Sequence, residues 1–91
     1  METNYNKANK IQSELFWVHY EAGSGTKDAN TVYVCFSGHY NPDTGETDKP
    51  SITVQEAKQL PKLKEIIKKY NLKFLKVRKE EYGKFFLYYK L

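Results

Sequence analysis

The sequence predicts an α+β domain: a four-stranded antiparallel sheet in the order ββαββ, with one helix packed on one face. Three observations carry this. Residues 15–20, 31–37, 73–79 and 84–91 are rich in aromatic and β-branched side chains, the composition of strands. Residues 53–70 alone carry a helical apolar period. Gly, Pro, Asn and Asp gather in the gaps between. A chain of 91 residues suits one modest core, so residues 11–91 are expected to form a single domain.

Residues 1–10 are polar, hold three asparagines and show no apolar period, so they predict a flexible lead-in. Leu15, Phe16, Trp17, Val18, His19 and Tyr20 predict the first strand. Residues 21–30, with Gly23, Ser24, Gly25 and Asp28, read as a flexible connection to a second strand at 31–37. These two strands are expected to pair as a hairpin. Residues 40–50 follow as an acidic loop, in which Asn41-Pro42-Asp43-Thr44-Gly45 fits a type I turn with Pro second.

Thr53 and Glu56 form a capping box at a helix start. Val54, Ala57, Leu60, Leu63, Ile66, Ile67 and Tyr70 then make a continuous stripe. Pro61 interrupts it. Either Pro61 opens a second helix at its first position, or one bent helix runs through. The unbroken phase of the stripe favours the bend. Asn71 suits the residue after the helix, and Gly83 suits a left-handed position in the turn joining the last two strands.

Alternation assigns faces. Val32, Val34, Phe36, Leu75, Val77, Phe85, Leu87, Tyr89 and Leu91 are expected to meet the helix. Trp17, His19, Tyr33, Phe74, Lys76, Arg78, Phe86, Tyr88 and Lys90 are left for the opposite face. Rings interleaved with cations suit single-stranded nucleic acid, where bases stack and cations follow phosphates. They equally suit a protein interface with a partner or a second copy, with aromatic residues as anchors. A second basic surface comes from Lys58, Lys62, Lys64, Lys68 and Lys69 on the helix.

Charge is divided along the chain. Residues 1–50 hold four lysines against seven acids, and residues 51–91 hold eleven basic residues against four acids. Such a division orients an encounter with an acidic or polyanionic partner. Lysine outnumbers arginine, which favours diffuse attraction over base reading.

Catalytic signals are weak. His39 beside Asp43 and Asp48 could form an acid–base pair, but no nucleophile or metal ligand is fixed next to it. Cys35 reads as a small buried hydrophobe. Two histidines and one cysteine lack zinc spacing, and no phosphate-binding glycine loop is present. No cofactor, metal or enzyme activity is expected. With one cysteine, no apolar leader and no membrane-length run, a cytoplasmic protein is expected. The Lys, Asn and Tyr bias suits an AT-rich genome such as a phage or mobile element. The sequence thus predicts a protein-binding module, an inhibitor or accessory factor acting on a nucleic-acid-handling or acidic protein. A non-specific nucleic-acid binder is the alternative, and a small hydrolase or nuclease a distant third.

Overall fold

The computed structural model describes residues 4–16, 22–28 and 30–91, with the backbone only for residue 4 and for 22–28. An α-helix, α1 (Asn4–Leu15), comes first. Ala8, Ile11 and Leu15 recur at i, i+3 and i+7, and all three are fully buried. Two expectations are corrected here. The lead-in is helical from Asn4, and Leu15 closes that helix instead of starting a strand. Residues 17–20, the rest of the expected strand, lie outside the described residues. A twelve-residue helix is marginal alone. Its packing on the first two strands and on a later helix is what stabilises it.

Next come β1 (Ala22–Asp28) and β2 (Thr31–Phe36), then a small hairpin of β3 (Tyr40–Asn41) and β4 (Glu46–Thr47). Two helices follow, α2 (Val54–Lys58) and α3 (Pro61–Tyr70), then β5 (Lys73–Lys79) and β6 (Phe85–Lys90). The main sheet is antiparallel in the order β1-β2-β6-β5. The fold is α+β, but the layout is not ββαββ. A helix precedes the sheet, a second small sheet interrupts the chain, and the central helical segment is two helices. The glycine-rich stretch at 22–28, expected as a connection, is a strand. Backbone pairing to β2 overrides its poor strand propensity.

One face of the sheet builds the core. Val32, Val34 and Phe36 stand opposite Tyr89, Leu87 and Phe85, and all six are buried. The Phe36 and Phe85 rings stack at 5.2 Å. Ala57, Leu63, Ile66 and Leu72 join them in the same cluster as the α1 stripe. Burial pushes the Tyr89 phenol up to about 12.

The helical segment divides at Pro61. Thr53 Oγ1 accepts from Glu56 N–H at 3.1 Å, and Thr53 N–H donates to Glu56 Oε1 at 3.2 Å. Leu60, before the proline, is extended (φ −57°, ψ 127°), and Pro61 opens α3 at its first position. The single bent helix is therefore replaced by two. Its stripe keeps phase because both helices bury their apolar residues on the same sheet face. Asn71 takes the left-handed conformation at φ 53°, and Leu72 N–H donates to the Ile67 carbonyl at 2.9 Å. This is the Schellman closure, with Leu72 buried beneath it.

Two turns and one close backbone approach depend on local chemistry. Asn41 Oδ1 accepts from Asp43 N–H at 3.0 Å, and Gly45 sits at φ 73° between β3 and β4. Gly38 holds the base of that hairpin. A Cβ there would lie 2.1 Å from the Asp48 carbonyl oxygen. Between β5 and β6, Tyr82 and Gly83 both have positive φ, 60° and 74°. That is the combination a tight, right-twisted hairpin needs.

Glu14 ties α1 to α3. Its carboxylate accepts from Lys69 Nζ at 3.0 Å and from the Tyr70 hydroxyl. The Tyr70 bond, then the Lys69 bond, hold the Glu14 carboxyl below its ordinary range.

Two outcomes test this account. Ile11→Ala should cost about 2–4 kcal/mol in denaturant unfolding, as for other buried aliphatic truncations. A loss within about 0.5 kcal/mol, typical of surface sites, would detach α1 from the core. Because the folded Glu14 pKa lies below its unfolded value, its stabilisation is complete above the unfolded value. It is lost as pH falls through the lower folded one. Glu14→Gln should therefore flatten the acid limb of a stability-versus-pH curve; an unchanged limb would refute the tie.

Candidate interaction surface

The face away from the core is built by β2, β6 and β5. Tyr33 stands opposite Tyr88, and Cys35 opposite Phe86, across β2 and β6. Lys76 stands opposite Tyr88, and Arg78 opposite Phe86, across β6 and β5. The three rings form one cluster: Tyr33 lies 5.7 Å from Phe86 and 5.5 Å from Tyr88, and Phe86 lies 6.3 Å from Tyr88.

Cations lie over these rings. The Arg78 guanidinium is 4.5 Å from the Phe86 centroid and 6.0 Å from that of Tyr88. Lys76 Nζ is 5.2 Å from the Tyr88 ring, and Lys84 Nζ is 5.6 Å from Phe86. Each such contact is worth about 0.5–1 kcal/mol at an exposed site. Arg78 also pairs with Glu80. Tyr33 and Phe86 are half-buried, and Tyr88 is only 3% exposed. The surface is thus a layer of charge above a layer of rings, where the sequence suggested rings and cations side by side. Tyr88, expected among the exposed rings of this face, is instead a packed residue.

Phe74 is also corrected. The β5 register shifts between Phe74 and Lys76, and Leu75 is the extra residue. Phe74 consequently stands opposite Tyr89, on the core face, with its ring 5.7 Å from that of Tyr89. Lys58 of α2 lies over it at 4.1 Å. Leu75, expected among the core residues, is 48% exposed. No alternation argument reveals this, because one bulge inverts the phase of every residue before it.

Lys90 is exposed at the end of β6, opposite Lys73 across one ladder and Thr31 across the other. Trp17 and His19 lie outside the described residues. Among the helix lysines, Lys62, Lys64 and Lys68 are exposed along α3. Lys69 is held by Glu14 and Lys58 by the Phe74 ring, so the five do not form one free surface. Two residues that sequence reasoning passed over belong with β5, Lys73 and Lys79. Lys79 stands opposite Phe85 on the core side, while Lys73, Lys76 and Arg78 take the other. The signal was present as the run Lys73-Phe74-Leu75-Lys76-Val77-Arg78-Lys79.

Cys35 is half-buried, and burial raises its thiol above the ordinary value. His39 is exposed, and its backbone carbonyl accepts from Asp48 N–H at 2.8 Å. Among the described residues, no three His, Cys, Asp or Glu side chains gather as a metal site. None of the described helices is long and apolar enough to cross a membrane. No family model, curated protein or solved structure matches this chain.

The layered arrangement makes a prediction. Tyr88→Ala should cost about 3 kcal/mol of stability, as large aromatic truncations in packed sites do. Arg78→Ala should stay within about 1 kcal/mol, since exposed charges contribute little. Urea unfolding of both variants checks this, and equal losses would contradict the layering.

Proposed function

We propose that this protein is a non-catalytic binding module that docks on an acidic partner protein, in the manner of a small inhibitor or accessory factor. The observation that carries the reading is the charge around β5. Cations stand on both faces of that strand: Lys73, Lys76 and Arg78 on one, Lys79 with Lys58 of α2 on the other. Lys73 and Lys90 are a directly opposed like-charge pair, which costs the free sheet stability. An acidic partner would relieve that repulsion on binding. The basic surface would also speed encounter, an effect that falls with salt.

Nucleic-acid binding is the second reading, favoured by the same cations. The layering weighs against its stacking component. The rings that would receive bases are half-buried or buried, with cations already over Phe86 and Tyr88. What is left is phosphate contact alone, which binds without sequence preference.

Labelled single- and double-stranded oligonucleotides separate the two. Near physiological salt, fluorescence anisotropy should show no saturable binding tighter than about 10⁻⁵ M, within the range of bare phosphate attraction. A partner protein should instead form a complex stable to gel filtration, lost in Lys76→Glu/Arg78→Glu. Sub-micromolar oligonucleotide binding abolished by that double variant would overturn the protein reading.

A further inference from the structure

We infer that the acidic partner binds by adding an extended segment to the sheet as a further strand on the β5 edge. This rests on the acidic-partner reading above and specifies how the contact is made. β5 ends the sheet, and among the described residues it pairs with β6 alone. An edge strand presents a row of backbone donors and acceptors that a new strand completes. After the bulge at Leu75, residues 76–79 keep a regular ladder. That stretch is a template for the incoming backbone.

Side chains of an added strand alternate between the two faces. At β5 they would meet cations on either face: Lys76 and Arg78 on one, Lys79 and Lys58 on the other. An acidic strand is therefore attracted whichever way its alternation falls. Apolar contact is also available, since Phe74 is 42% and Leu75 48% exposed next to each other at the bulge.

The other occupants fit less well. A second copy pairing β5 to β5 would oppose lysines and arginine to their equals, which like-charge juxtaposition disfavours. Nucleic-acid phosphates accept hydrogen bonds but donate none, so half of the edge's backbone groups would stay unmet. The other edge, β1, holds one lysine and one aspartate among seven residues, so charge gives it no preference for an acidic strand.

The test uses the full chain and a labelled peptide of about eight residues alternating Glu and Val, a common strand length. A second peptide of the same sequence is N-methylated at every residue, which removes the backbone donors of both its edges but keeps the charge. Anisotropy measures affinity, and hydrogen exchange maps protection. The first peptide should bind and slow exchange along 76–79. The methylated peptide, and the exposed-site variant Lys76→Glu/Lys79→Glu, should each weaken binding about tenfold or more. Circular dichroism establishes that the variant is folded. Equal binding of both peptides, or protection confined to other segments, overturns strand addition while leaving an acidic partner in place. Failure of every acidic peptide, with an oligonucleotide binding in its stead, overturns both readings.

Discussion

The antiparallel pairing of β2 with β6 is the constraint from which the rest of the structure follows. It joins residues 31–36 to residues 85–90 through six consecutive register pairs. On one side it brings together the Val32, Val34, Phe36, Phe85, Leu87 and Tyr89 surface that all three helices cover. On the other it gathers Tyr33, Phe86 and Tyr88 beneath the β5 cations. A one-residue slip would exchange the two sets. The burial of one face and the basic character of the other therefore hold the same register in place.

The surface charge is coupled to this packing. Cations over aromatic rings are held more closely than cations on free solvated stems, so Lys76, Arg78 and Lys84 are presented in a limited arrangement. Lys69 and Lys58 are similarly engaged, one by a carboxylate and one by a ring. Of the charge that composition attributes to the C-terminal half, some is thus structural. The remainder is divided between Lys62, Lys64 and Lys68 on α3 and the β5 edge, where the proposed contact lies.

The sequence made the C-terminal half readable, because its signals are local. The capping box, the αL Asn71, the residues of β5 and the left-handed Gly83 all declare themselves within a few positions. The N-terminal half was misread for a physical reason. The stripe of Ala8, Ile11 and Leu15 has only three members, and Leu15 also begins a run of strand-like residues. Its helical reading is settled by packing, not propensity. The glycine-rich β1 is specified by its neighbour in the same way. For the candidate surface, Lys76, Arg78, Phe86 and Tyr33 were assigned to the correct face by alternation alone. Phe74 was not, because a bulge leaves no mark in the hydrophobic pattern. The burial of Tyr88 was hidden too, since it depends on tertiary cover and not on its own strand.

The clamp at Gly38 has a consequence for how this chain can diverge. The backbone of residue 38 lies so close to the Asp48 carbonyl that no other side chain is accommodated without movement. Beyond that crossing, β3, β4 and their turn are exposed over most of their length and pair with each other. Closing a slightly longer loop adds only a few tenths of a kcal/mol. Length changes between residues 42 and 45 therefore leave the sheet undisturbed, whereas residue 38 is held to a single amino acid. Lineages of this protein should drift in the size of this hairpin while keeping its base constant.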